Sequence, residues 1–300
     1  MLSALSPEIG EVNRFALTTP VAMIVFNRPE LTERVFKRIA EAKPQTLLLI
    51  ADGPRTKDEA RACAQVRELI ERVDWDCRVL KNFSDVNLGC KRRVTSGLDW
   101  VFSQFSEAII LEDDCLPSLS FFRFCQTLLE RYRDDERIFT ISGNNFQFGL
   151  QRTEASYYFS RYAEIWGWAT WRRAWQYNDA AMNTWPDFNS QGCIRWVFEH
   201  PAEQEYWAQY FQQSYEGKID AWGYIWFYTC LSQSGLAVMP EVNLVSNIGF
   251  GSAATHTADT SSRFANVPAC EIGPIQHPKL TIRHVEADAY YFEHVVSIAG

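Results

Sequence analysis

Hydrophobic and polar positions follow two alternating periods along the first half of the chain. Short apolar runs such as VAMIVF at 21–26 predict buried strands. The segments between them place apolar residues at helical spacing, for example Leu31, Val35 and Ile39. The strands are predicted at 21–26, 46–51, 77–82 and 108–111, and the helices at 29–42, 57–72, 91–105 and 121–133. This order predicts an α/β fold with a mostly parallel central sheet and right-handed crossovers.

The second half of the chain is dominated by aromatic residues. Nine of the eleven tryptophans lie between positions 166 and 226. Helical spacing continues there, and a short strand runs into a glycine-rich loop at 249–257. We therefore expect one composite domain. Its parts are a nucleotide-sugar-binding half at 1–145, an aromatic-rich acceptor half with a closing loop at 146–257, and a tail at 258–300 without an assigned role.

Composition narrows the function classes. The 300 residues are 47% hydrophobic, which is enough for a large core, and the net charge of −8 without a basic block makes nucleic acid an unexpected partner. Peripheral membrane association stays open, but no apolar run approaches the ~20 residues of a membrane span and no signal peptide is recognised. Eight cysteines without a CxxC spacing predict free thiols in a cytoplasmic protein.

The most informative segment is AIILEDDCLP at 108–117, where a buried strand ends in Glu112, Asp113 and Asp114. Open α/β sheets bind ligands at the carboxyl ends of their strands. Crowded carboxylates repel each other unless a cation compensates, and Mg²⁺ or Mn²⁺ prefers such oxygen ligands. The alternative is a solvated acidic turn, or the N-cap of the helix that follows. The segment alone leaves both interpretations open.

Polar residues also follow the other predicted strands. Asn27 and Arg28 follow the first strand, and Asp52 follows the second. Parallel strand ends meet at one edge of a sheet, where Arg28 could pair with phosphate and Asp52 could accept hydrogen bonds from a base or ribose. Taken singly, Asp52 fits an ordinary turn and Arg28 an exposed position. Their coincidence at successive strand ends favours a binding site.

Three cations, Lys91, Arg92 and Arg93, stand at the start of a predicted helix. Cations are unfavourable at the positive end of a helix unless an anion lies nearby. A pyrophosphate would remove this conflict, and a solvated basic turn is the alternative. Separately, His256 lies in the glycine-rich loop, which could close over a metal–phosphate complex.

These residues resemble the glycosyltransferases of the GT-A fold. The sequence LEDD at 111–114 resembles the metal-binding acidic motif of that fold, and its EDD form is similar to that of N-acetylglucosaminyltransferases. Further matches follow the order of the family over residues 20–257. They are IVFNRP at 24–29, LIADGP at 49–54, ISGNN at 141–145, Gly167-Trp168, and PEV at 240–242.

The resemblance implies a Mn²⁺ or Mg²⁺ cofactor, a UDP-sugar donor with UDP-GlcNAc as a candidate, and an acceptor hydroxyl on a glycan or glycoconjugate. Arg28 and Asp52 would hold the diphosphate and uridine, and Lys91 stands where the family shows a histidine near the base. Glu112 and Asp113 would contact ribose and sugar hydroxyls. Asp114 would be the metal ligand. The loop from Ser246 to His256 would become ordered over the bound donor.

The resemblance implies that a carboxylate just before a helix is the catalytic base and that transfer inverts the anomeric centre. The best positional match is Asp220, with Glu164 as the second candidate. The structural alternative for Asp220 is a helix N-cap.

Two other functions compete with glycosyl transfer. A sugar-nucleotidyltransferase would need a glycine-rich phosphate loop after the first strand, where Asn27-Arg28-Pro29 stands instead. A non-catalytic carbohydrate-binding protein would account for the aromatic half but not for the polar strand ends.

Overall fold

The computed structural model describes residues 15–251 and 262–298. Its centre is an eight-stranded sheet with the strand order β3-β2-β1-β4-β8-β6-β9-β7, and β5 pairs with β10 in a separate two-stranded sheet. The strands are β1 (Val21–Val25), β2 (Thr46–Ala51), β3 (Arg78–Phe83), β4 (Glu107–Glu112), β5 (Cys115–Pro117), β6 (Ile138–Ser142), β7 (Tyr157–Ser160), β8 (Trp168–Trp171), β9 (Leu236–Pro240) and β10 (Val245–Asn247).

Helices cover both faces of the large sheet. They are α1 (Pro29–Ala42), α2 (Lys57–Ile70), α3 (Cys90–Gln104), α4 (Leu119–Arg131), α5 (Arg172–Trp175), α6 (Trp185–Ser190), α7 (Ile194–Val197), α8 (Pro201–Tyr215), α9 (Gly223–Ser232) and α10 (Val285–Tyr291), followed by a π-helical turn at Phe292–Val296. None of the helices in the described ranges has the length and apolar character needed to cross a membrane.

The first half of the chain forms the parallel part of the sheet. Strands β3, β2, β1 and β4 pair in parallel, and β1, β2 and β4 are buried along most of their length. Burial on both faces is typical of parallel strands covered by helices, because the crossover helices pack on either side. The expected α/β class, with a mostly parallel sheet flanked by helices, is confirmed.

The second half extends the same sheet. Strand β8 runs antiparallel between β4 and β6, β9 is parallel to β6, and β7 lies antiparallel at the edge. Strands β6, β7 and β8 were not predicted from the sequence. The carboxyl ends of β1, β2, β4, β6 and β9 therefore point to one edge, where the connecting loops gather.

Most of the clustered tryptophans belong to the core. Trp168, Trp175 and Trp226 pack against one another with ring centroids 5.3–6.2 Å apart, and Trp222 stacks on Trp168 at 5.4 Å. These indoles fill the space between β8, α5 and α9. Trp196, at 74% exposure, is the exception. The aromatic composition of the second half is thus mainly a packing feature.

Candidate active site at the strand ends

The acid triplet and Arg28 meet at the carboxyl ends of β1 and β4. These strands are parallel neighbours with Ile24 opposite Glu112, so the residues that follow each strand emerge side by side. The guanidinium of Arg28 donates from Nε to Asp113 Oδ2 at 3.3 Å, and its NH1 lies 3.0 Å from Asp114 Oδ2. The structure therefore brings Arg28 together with Asp113 and Asp114, which the sequence placed after two different strands.

The charges in this cluster do not balance, because one guanidinium faces three carboxyl groups. Burial, with the charges of Asp114 and Asp113, raises the pKa of Glu112 to about 8. Burial raises the pKa of Asp113 to about 6, although Arg28 acts in the opposite direction. Burial also acts to lower the pKa of Arg28, but the neighbouring acids outweigh it and the pKa is raised. An additional cation would relieve this excess of negative charge.

The chemistry of the cluster fits a hard divalent cation. Its carboxylate oxygens are the donor atoms that Mg²⁺ and Mn²⁺ prefer. Within 15–251 and 262–298, no three metal-ligating side chains gather into a ready-made site. A metal here would accordingly take few protein ligands and fill its remaining positions with ligand oxygens or water. Asp114 is less buried than Asp113, which suits it to that contact. His256, the second predicted ligand, lies outside the described residues.

The chain after β10 packs directly on Asp114. Strand β10 pairs with β5 so that Ser246, itself buried, lies opposite Leu116, and the Ile248 amide donates to the Asp114 carbonyl at 2.9 Å. A Cβ atom on Gly249 would stand 2.2 Å from Asp114 Oδ2. Glycine is therefore required there, and the loop predicted to close over the donor starts beside the predicted metal ligand.

Asp52 holds the loop that leads into α3. Its carboxylate is buried and accepts hydrogen bonds from the backbone amides of Gly53 and Leu88 and from Asn87 Nδ2, at 2.9–3.2 Å. A Cβ on Gly53 would come within 2.5 Å of the Val86 backbone. Both Asp52 oxygens are thus engaged within the protein, and a direct contact with uridine stays a prediction.

Two arginines support this edge: Arg67, which the sequence did not single out, and Arg93, which it indicated only as one of the cations at the helix start. Arg67 donates to the Asp52 carbonyl at 3.1 Å, and buried Arg93 donates to Asn82 Oδ1 at 2.7 Å. Arg93 lies on the buried face of α3. In the sequence, a charged residue among the apolar positions of this helix was the feature that could have indicated its role. Asn27, a predicted site residue, is half-buried and donates to Glu59 at 3.3 Å.

Asp220 caps helix α3 across a gap of about 130 residues in sequence. Its carboxylate accepts hydrogen bonds from the backbone amides of Lys91 at 3.0 Å and Cys90 at 3.2 Å. The preceding Gly89 has a φ of +80° and leaves no room for a Cβ, which would lie 2.9 Å from Asp220 Oδ2. The anion expected at this helix start is therefore supplied by the protein itself. Asp220 does not cap the helix that follows it, since Trp222 precedes α9.

Asp220 and the acid cluster both act on Cys90. Burial raises the pKa of the Cys90 thiol, and the charges of Glu112 and Asp220 act in the same direction. Trp222 reaches Glu112 from the same segment. By contrast, the side chains of Lys91 and Arg92 line a separate pocket on the outer face of α3.

Glu164, the second candidate base, is held by two side-chain hydrogen bonds. Asn144 Nδ2 donates to its carboxylate at 2.9 Å, and the hydroxyl of Tyr291 donates to the other oxygen. Burial raises the pKa of Glu164 to about 7, and the Asn144 hydrogen bond acts in the opposite direction. Tyr291 belongs to the C-terminal segment, for which the sequence suggested no role.

No protein-family model and no curated protein matches the chain. Several solved structures do. The galactosyltransferase LgtC, in complex with donor and acceptor sugar analogs, is 9% identical over 71% of this chain and 70% of its own, with a TM-score of 0.35. A UDP-glucose pyrophosphorylase complexed with UDP-glucose is 11% identical over 49% of this chain, with a TM-score of 0.28. This chain spans 64% of that pyrophosphorylase.

A 4-diphosphocytidyl-2C-methyl-D-erythritol synthase from Anaerococcus prevotii is 10% identical over 52% of this chain and 73% of its own, with a TM-score of 0.33. The similar structures thus include a sugar transferase and nucleotidyltransferases. At these identities and TM-scores the similarities do not assign a function, which is inferred below from the site itself.

Proposed function

We propose that this chain is a metal-dependent glycosyltransferase of the GT-A type. It would move a sugar from a nucleotide diphosphate, with UDP-sugar as the preferred donor and UDP-GlcNAc as the first candidate, onto an acceptor hydroxyl of a glycan or glycoconjugate. The observation that carries the proposal is the contact of Arg28 with Asp113 and Asp114 at the carboxyl edge of a parallel sheet, with Asp220 at the start of α3, the helix that follows β3 at the same edge. A cation site, a phosphate partner and a carboxylate base are the parts that such a transfer requires.

The donor side is assigned to the acid cluster and Arg28. Asp114 would hold Mn²⁺ or Mg²⁺, which neutralises charge on the departing diphosphate when bound. Asp113 is buried and keeps Arg28 in place, so that the guanidinium can turn part of its donor set toward phosphate. Glu112 and Asp113 would contact ribose and sugar hydroxyls, and the segment from Ser246 would cover the donor.

The acceptor side is assigned to the two candidate bases. Asp220 is exposed, and it would take the proton from an acceptor hydroxyl during a single inverting displacement. Such a base typically contributes 10²–10⁴-fold in rate. Glu164, with its pKa of about 7, is the alternative base.

The connection after β1 counts against the nucleotidyltransferase alternative. Strand β1 ends at Val25 and α1 begins at Pro29, so only Phe26, Asn27 and Arg28 lie between them. A glycine-rich loop that wraps a triphosphate does not fit in three residues. The carbohydrate-binding alternative predicts no release of nucleotide.

Donor turnover tests the proposal. Purified protein is screened with nucleotide sugars and Mn²⁺ by thermal shift, because a bound ligand stabilises by RT ln(1 + [L]/Kd), and UDP release is then measured for the sugars that stabilise. We expect release that falls at least about 100-fold in Asp114→Asn and Asp220→Asn and is unchanged in Asp187→Asn, a substitution in α6. A protein that is neither stabilised by any nucleotide sugar nor able to release nucleotide would overturn the proposal.

A further inference from the structure

A groove follows the outer face of α3 and starts at Asp220. Its volume is about 380 Å³, and it is bordered by a loop that follows α5. The lining residues are Lys91, Arg92, Thr95, Ser96, Asp99, Ala180 and Asp220.

The groove is a continuous feature of one helix face. Its five helical residues fall between positions 91 and 99, and the buried residues of α3 fall on the opposite face, at Arg93, Val94, Gly97, Leu98, Val101 and Phe102. At about 1.5 Å per residue the groove extends ~12 Å along the helix. This length suits a saccharide chain better than a single sugar.

The acids in this groove have hydrogen-bond partners, whereas the salt bridges of the described residues include neither of its cations. Lys91 and Arg92 form no ion pair within the described part of the chain. Asp220 accepts two backbone amides at the start of α3, and Asp99 accepts the indole N–H of Trp175 at 2.8 Å. Lys91 and Arg92 therefore keep their side-chain donors for a ligand.

The groove is also separate from the donor residues. Neither Arg28, Asp52, Glu112 nor Asp114 lines it, and Asp220 marks its end nearest the acid cluster. Lys91 and Arg92, which were predicted to contact the donor, line this groove together with Asp220. They are placed to bind whatever presents a hydroxyl to that carboxylate.

We propose that this groove binds the acceptor, and that the acceptor carries an anionic group, a carboxylate or a phosphate, that Lys91 and Arg92 hold. This inference rests on the proposed glycosyl transfer. The acceptor hydroxyl would lie at Asp220, and the anion would lie against the first turn of α3, where charge-assisted hydrogen bonds are strong. Thr95 and Ser96 would contact neutral hydroxyl groups farther along.

Direct binding of three matched probes tests the inference without relying on turnover. Methyl β-glucoside, methyl β-glucuronide and glucose 6-phosphate are titrated by saturation-transfer NMR, with and without UDP and Mn²⁺ to block the donor side. We expect one or both anionic probes to bind at least about tenfold tighter than the glucoside, and the better of the two identifies the anion. Lys91→Ala and Arg92→Ala should each remove about tenfold of this preference, as expected for a lost charge-assisted hydrogen bond.

Two further variants separate charge from folding effects. Arg92→Lys should retain most of the preference, and Arg61→Ala, an exposed cation on α2, should leave it unchanged. Equal binding of neutral and anionic probes, or no binding of any probe, would overturn the inference. In that case intact Mn²⁺-dependent UDP binding would show that the proposed function still stands. An anion preference without any UDP binding would instead leave the groove as a binding site and remove the glycosyl-transfer proposal.

Discussion

Replacing Glu164 by glutamine should change how the stability of the protein depends on pH. Burial holds the pKa of this carboxyl at about 7 instead of 4.5. Between these two values the folded state binds more protons than the unfolded chain, so the free energy of unfolding falls as pH rises. A glutamine keeps the shape and hydrogen-bonding ability of the protonated acid and does not titrate. The variant should therefore gain stability relative to the natural protein as pH increases.

The size of the change follows from the two pKa values. Each unit of pKa difference corresponds to about 1.4 kcal/mol, and integration from pH 5 to pH 8 gives at most about 2.5 kcal/mol for Glu164. Urea unfolding of the natural protein and of Glu164→Gln at both pH values, at one ionic strength, measures this difference. We expect the stability of the variant relative to the natural protein to increase by about 2 kcal/mol from pH 5 to pH 8.

Glu216→Gln is the matched control, because Lys218 lowers the pKa of that exposed carboxyl. Its lowered pKa lies below 4.5, so its stability difference should stay nearly constant between pH 5 and pH 8. If the difference for Glu164→Gln were the same at pH 5 and pH 8, the carboxyl would not be desolvated as described. If Glu164 is also the catalytic base, the rate of transfer by the natural protein should rise with pH around 7. This rise should be absent from the pH–rate profile of Glu164→Gln.

Three further substitutions test contacts at the strand ends. Gly249→Ala would place a Cβ 2.2 Å from Asp114 Oδ2, and the displaced carboxylate should lower Mn²⁺-dependent UDP affinity about tenfold, as measured by calorimetry. Gly53→Ala overlaps the Val86 backbone and should cost about 1–3 kcal/mol in urea unfolding. Asp220→Ala removes the cap of α3 and should cost about 1 kcal/mol in the same assay.

Gly273→Ala is the control for both glycine variants, since a Cβ there meets open space. It should leave stability and UDP affinity unchanged. If Gly249→Ala bound UDP as tightly as the natural protein, Asp114 would be able to move without weakening UDP binding. If Gly53→Ala were as stable as the natural protein, the loop after β3 would be able to shift at little cost. If Asp220→Ala were as stable as the natural protein, the hydrogen bonds from Asp220 to α3 would contribute little to stability.

The sequence predicted the parallel half of the fold because that half obeys simple periodicity. The predicted helix at 29–42 and strand at 46–51 match α1 and β2, since each apolar run or stripe is buried as its period requires. Strand β8 escaped prediction because WATW is short and shows no alternation, and its neighbours in the sheet come from distant parts of the chain.

Contacts within the site were predictable only where a general rule connects distant residues. The rule that parallel strand ends meet brought Arg28 and Asp114 together correctly. No local pattern connects Asp220 to the start of α3, although the cations there signalled that an anion was needed. Tyr291 could not be anticipated because its segment is weakly patterned, and its contact with Glu164 depends on how α10 packs.

Calorimetric titration of UDP in the presence and absence of Mn²⁺ tests the central claim most directly. The claim is that Asp114 and a divalent cation together hold the diphosphate of a donor. We predict that Mn²⁺ raises UDP affinity at least about tenfold in the natural protein, that Asp114→Ala abolishes this increase, and that Asp187→Ala retains it. An equal Mn²⁺-dependent increase in Asp114→Ala, or none in the natural protein, would contradict the claim.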